Sequence, residues 1–170
     1  MKRCALFFAL ALLGGCGYHV AGHSDLLPKT LKTIYIPAWV NGTVRYKLTD
    51  SLPQDIGREF IARTRYLVVT KPDNADAILT GTVLRYNASP AIFDPATARA
   101  SVVEFEVAMS ARLTEKATGK VLWENTYFSF KQRYEISTKP TTYFEESDPA
   151  ITRLSREAAR SIVSAILSNF

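Results

Sequence analysis

The chain has 170 residues, 47% of them hydrophobic and 22% charged, with a formal charge of +5. That length suits one domain of ordinary size, and that composition can fill a core, which excludes a disordered or collagen-like chain. The excess of cations is compatible with an anionic partner but too small to point to nucleic acid.

Met1, Lys2 and Arg3 make a short positive start, residues 5–13 an apolar run, and Gly14-Gly15 a small-residue stretch. This is the layout of a secretory signal, too short to span a bilayer. Leu13-Gly14-Gly15-Cys16 resembles the lipobox of bacterial lipoproteins, which implies cleavage before Cys16 and a covalent lipid on its sulfur. Residues 1–15 are then a signal peptide, 16–32 an acylated leader and 33–170 a single domain. Several acyl chains on one residue make a stable anchor, whereas one chain binds only marginally. Gly17 stands where an Asp would mark inner-membrane retention, so the expected location is the outer membrane, on its periplasmic side. Cys4 falls inside the signal. The expected mature chain carries nineteen basic against sixteen acidic residues, a formal +3, and no thiol for a disulfide, nucleophile or metal.

The run "KTIYIPAW" (32–39) alternates as a strand and is stopped by Pro37, with a loop at Asn41-Gly42 after it. The spacing then predicts a helix over about 49–65, with Thr49, Asp50 or Ser51 as cap and Leu52, Ile56, Phe60 and Ile61 as its apolar stripe. Pro53 sets its start no earlier than about Thr49. Strands follow at 65–71 and 77–87, then a long loop, "NASPAIFDPATARA" (87–100). Val103, Phe105, Val107, Met109, Ala111 and Leu113 alternate with polar neighbours, which predicts a strand with one buried and one wet face. A Gly-containing turn leads into 121–136, so these two strands are expected to form an antiparallel hairpin. Asp148-Pro149 then opens a helix whose apolar stripe is Ile151, Leu154, Ala158, Ile162, Ile166 and Leu167, with Arg153, Arg156 and Arg160 opposite. The expected fold is α+β: two helices packed on one face of a four- to five-stranded mixed or antiparallel sheet, a two-layer sandwich.

Little in the sequence suggests catalysis. His19 and His23, the two histidines, fall in the leader, and no nucleophile elbow, phosphate loop or metal motif is present. Glu104 and Glu106 share one strand face, about 7 Å apart along the backbone, and paired carboxylates can cleave glycosidic bonds. A solvated sheet face with Arg or Lys across the hairpin accounts for them better, so neither an enzyme nor a metal site is expected.

Cys16-Gly17-Tyr18-His19-Val20 resembles the N-terminus of the LptE family of lipopolysaccharide-assembly lipoproteins, which begin with Cys, Gly, an aromatic, His or Arg, and an apolar residue. "IYIPAWVNGT" (34–43), the order of elements and the long closing helix are similar to that family too. "ADAILTGTV" (75–83) is less specific, because curli-secretion and peptidoglycan-synthase-activating lipoproteins carry comparable strands. The resemblance implies a non-catalytic plug inside an LptD-type outer-membrane β-barrel, assisting its assembly and the passage of lipopolysaccharide to the outer leaflet. It implies no cofactor beyond the covalent lipid on Cys16. Candidate contacts to lipopolysaccharide phosphates or to the partner are Arg85, Ile92, Phe93 and Arg99 in and beside the 87–100 loop. Lys131, Arg133 and Lys139 join them, interleaved with Trp123, Tyr127, Phe128, Phe130, Tyr134, Tyr143 and Phe144, about half of which alternation is expected to turn into the core. The alternatives are an activator of a peptidoglycan synthase or a secretion-pore lipoprotein. A reach across the periplasm is disfavoured by a leader of about sixteen residues, roughly 55 Å at full extension. A glycan hydrolase is the least favoured reading.

Overall fold

The alternation of residues 103–113 becomes the centre of the structure. A computed structural model describes residues 31–137 and 147–168. Strands β1 (Thr33–Tyr35) and β2 (Val40–Asn41) precede helix α1 (Lys47–Arg63), and β3 (Leu67–Val69) follows it. Three long strands come next, β4 (Ala77–Phe93), β5 (Ala100–Glu115) and β6 (Val121–Glu135), and helix α2 (Ser147–Ser168) closes the order. The sheet has six strands in the order β3-β1-β4-β5-β6, with β2 also on β4. β1 pairs in parallel with β3 and β4, while β4, β5 and β6 form an antiparallel meander. Two helices on one mixed sheet is the expected α+β sandwich.

Val103, Phe105, Val107, Met109, Ala111 and Leu113 all turn into one hydrophobic core with Leu48, Leu52, Ile56 and Phe60 of α1 and Leu154, Ala158, Ile162 and Ile166 of α2. The α1 stripe runs at strict i+4 spacing; Ile61 falls one position off it and is exposed, contrary to the expected stripe. Helix α1 also begins two residues earlier than expected, with Pro53 inside it. Its first turn is closed by Thr49, whose N–H and Oγ1 both donate to the Tyr46 carbonyl (3.0 and 2.7 Å), and Tyr46 supplies no side-chain cap.

The two helices lie side by side and run parallel. Lys47 meets Asp148 where both begin, Asp55 meets Ser155 in the middle, and Arg63 donates to Ser164 where both end (2.8 Å). The central contact is buried: Ser155 Oγ donates to Asp55 Oδ2 at 2.6 Å, and Arg58 Nη1 donates to the other oxygen at 2.6 Å.

Asp76 ties the start of β4 to the start of β1. Its Oδ2 accepts the backbone N–H groups of Lys32 (2.8 Å) and Thr33 (2.9 Å), and its own N–H donates to Thr33. The Lys32 N–H, ahead of the opposing effect of burial, holds this carboxyl below the usual carboxylate range. Trp39, in the segment between β1 and β2, lies over Gly81 of β4, where an added Cβ would stand 2.4 Å from the indole. The residues expected as a loop at Asn41-Gly42 include strand β2, which pairs with Thr82 and Val83, and Gly42 N–H donates to the Val83 carbonyl at 2.8 Å.

Candidate functional site

Directly paired residues of an antiparallel ladder share a face, so the register defines the side of the sheet away from the helices. Arg85, Ala108 and Ser129 form one row across β4, β5 and β6. Asn87, Glu106 and Lys131 form the next, and Ser89, Glu104 and Arg133 the third. Arg133 Nε donates to Glu104 Oε2 at 2.8 Å, and Ser129 donates to Glu106. Farther along the same face, Arg112 holds Glu124 through Nε (2.9 Å) and Nη2 (2.6 Å). Exposed pairs of this kind add about 0–1 kcal/mol each. Their effect is a wall that is polar and nearly neutral. Glu104 and Glu106 thus have Arg, Lys and Ser partners across the hairpin, as the solvated-face reading expects.

The β4–β5 hairpin runs past this body as an arm. Residues 87–93 of β4 are exposed throughout, and the strand continues to Phe93. The expected 87–100 loop is therefore mostly strand, and the turn is confined to residues 94–99. Asp94 builds that turn: its N–H donates to the Arg99 carbonyl (2.9 Å), its carbonyl accepts from Ala98 N–H (2.8 Å), and its Oδ1 accepts from Ala96 N–H (2.8 Å). Ala98 takes a left-handed φ of 52° to complete it. Register shifts fall at Pro90/Ile92 and Ile92/Phe93, next to a proline that has no N–H for the ladder, a residue tolerated beside bulges and on strand edges. Ile92 and Phe93 stand at the tip, 54% and 58% exposed, beside Arg99.

The arm is rooted in the core by rings. The Arg45 guanidinium sits 5.2 Å over Tyr86, Tyr86 stacks on Phe105 at 5.5 Å, and Phe105 meets Tyr134 at 6.0 Å. The Arg45–Tyr86 contact was not predicted, since the two residues are forty-one positions apart and no local pattern joins them.

The predicted site residues thus separate into groups. Arg85, Lys131 and Arg133 share the outer face, with Arg133 committed to Glu104, whereas Ile92, Phe93 and Arg99 occupy the arm tip. Of the predicted aromatic surface, Trp123, Phe130 and Tyr134 are buried, Phe128 packs against the core and Tyr127 is exposed. The β6 aromatics are mainly core. Cys16, Lys139, Tyr143 and Phe144 lie outside the described residues. Among the described residues no helix is long and apolar enough to cross a membrane, and no three His, Cys, Asp or Glu residues cluster as metal ligands do.

A family model, LptE, described as lipopolysaccharide-assembly, matches residues 31–166. No curated protein matches the chain. Among solved structures, the uncharacterized lipoprotein B of Nitrosomonas europaea superposes with a TM-score of 0.58 at 16% identity, covering 90% of this chain and 93% of that one. A protein of Xanthomonas campestris gives 0.56 at 13% identity, covering 85% and 90%. A minor lipoprotein of Acinetobacter baumannii gives 0.51 at 14%, covering 84% and 95%. At such identities the likeness to these three is one of fold.

Proposed function

Because the chain belongs to the LptE family of lipopolysaccharide assembly, we propose that it is an outer-membrane lipoprotein that plugs an LptD-type β-barrel, assists its assembly and takes part in moving lipopolysaccharide to the outer leaflet. A lipid on Cys16 holds it on the periplasmic side, and it catalyses no reaction.

The observation that carries this reading is the arm. Ile92 and Phe93 are placed by the hairpin at a tip where the described chain leaves more than half of each exposed. Two exposed apolar side chains at the end of a strand pair suit insertion into a partner, where each square ångström removed from water contributes about 25 cal/mol. The outer face supports the same reading, since a barrel lumen is polar and a plug within it needs a polar wall. Arg85, Lys131 and Arg99 are the cations we assign to lipopolysaccharide phosphates. Arg133, already held by Glu104, keeps that wall neutral.

Recovery of the tagged, acylated protein from mildly solubilised outer membranes tests the proposal. A barrel of the LptD type in near-equal amount, with lipopolysaccharide retained, is the expected result. A peptidoglycan synthase in its place, or no barrel, overturns it.

A further inference from the structure

The strand directions gather one set of charges at one end of the sandwich. β1, β3 and β4 begin at that end, β5 finishes there, β6 starts there, and α1 and α2 both terminate there. The described chain also enters at this end, through Leu31. Lys32, Lys71 and Lys120 are exposed cations at this end, with Leu67 (65% exposed) and Val121 (44% exposed) among them. Lys116 is held in the same region, its Nζ donating to the Pro72 and Asp73 carbonyls at 2.9 Å each. Two of the nearby carboxylates are already engaged: Asp76 takes the Lys32 and Thr33 N–H groups, and Glu115 accepts from Thr118. Asp73 is the exposed acid that remains among the described residues.

We propose that this end docks on the anionic headgroup layer of the membrane that anchors the chain. Lysine ammonium groups would meet lipid phosphates while Leu67 and Val121 dip between headgroups, the pairing of basic and aliphatic side chains that suits an interface. The leader supports the choice of occupant. Fourteen residues lie between Cys16 and Leu31, a contour of about 50 Å at most, so the lipid limits how far this end of the domain can stand from the bilayer. The seventeen residues of β4 then carry the arm tip about 50 Å toward the opposite end. Docked in this way and without a partner, the protein holds Ile92 and Phe93 out in the periplasm, where an incoming barrel chain would meet them. The inference rests on the anchoring at Cys16 proposed above and is independent of the barrel partnership.

Full-length acylated protein in vesicles tests it. Because Cys16 is acylated, a cysteine introduced as Ala117→Cys in the β5–β6 turn, or as Thr97→Cys in the arm turn, gives a single labelling site. A fluorophore at 117 is expected to be quenched by headgroup-attached nitroxides when the vesicles contain phosphatidylglycerol. The fluorophore at 97 stays unquenched. High salt, pure phosphatidylcholine vesicles, or the combined Lys32→Gln, Lys71→Gln and Lys120→Gln changes are each expected to abolish the difference while the protein still floats with the vesicles. Equal quenching at both sites, or quenching at 117 indifferent to lipid charge and salt, overturns the docking alone. Failure to float overturns the anchoring as well.

Discussion

At the scale of single residues, Gly81 shows how much a position can depend on a partner far away in sequence. Its side-chain site is filled by the Trp39 indole, and a Cβ would stand 2.4 Å from two of its ring carbons and 2.5 Å from a third. Overpacking against a rigid ring costs about 1–3 kcal/mol, so Gly81→Ala is expected to fall at the upper end of that range by chemical denaturation. Introducing it into Trp39→Ala should remove most of the penalty, because the two changes share one space. A loss below about 0.5 kcal/mol in the natural background would mean the indole can move aside. Asp76 gives a pH-dependent prediction. Its carboxyl is held below its unfolded value by donors from the start of β1. Its contribution is therefore present above about pH 4, the unfolded value, and disappears as pH falls through the lower folded one. Asp76→Ala should lower stability at neutral pH by about 1 kcal/mol and flatten the acid limb of the stability profile. An unchanged acid limb would show that other carboxylates govern it.

At the scale of elements, the parallel pair of helices is fixed by a buried polar contact as well as by its apolar seam. Ser155, fully buried, donates to the buried Asp55, whose other oxygen takes Arg58. Removing one donor leaves a buried carboxylate under-satisfied, so Ser155→Ala is expected to cost about 1–3 kcal/mol. Ser155→Thr would restore the hydroxyl, and recovery of most of the loss would tie the effect to the hydrogen bond rather than to volume. The elements also show where sequence signals were sufficient and where they were not. The strict alternation in β5 and the i+4 stripe of α1 were legible because burial on one face leaves a period in the chain. The arm was not. Residues 87–100 read as a loop because they are long for a hairpin connection, yet strand pairing continues past Pro90 with register shifts and the turn closes through the left-handed Ala98. Strand β2, two residues long, had no pattern to show, and Pro53 displaced the expected start of α1 because a tight first turn ahead of it was invisible.

At the scale of the molecule, the sheet separates two regions by the length of its strands. One end carries the entry of the chain and a group of exposed cations; the other carries an arm tipped by Ile92 and Phe93. Changing both tip residues, Ile92→Asp and Phe93→Asp, is expected to leave the denaturation midpoint within about 0.5 kcal/mol of the natural chain, since neither is buried. It should also cut co-purification of a barrel partner at least tenfold, about 1.4 kcal/mol of binding. Retained co-purification would move the contact to another surface. The sequence by itself determined the buried face of β5, most of the helix stripes, the order of the elements other than β2 and the resemblance that the family match affirmed, because periodicity and short motifs are written locally. Only the tertiary structure decided which of the β6 aromatics enter the core, that Arg133 is tied to Glu104, and that Arg85 and Arg99 belong to different regions. Those outcomes depend on register and on contacts between residues dozens of positions apart, and no local pattern in a single chain records which strand lies beside which.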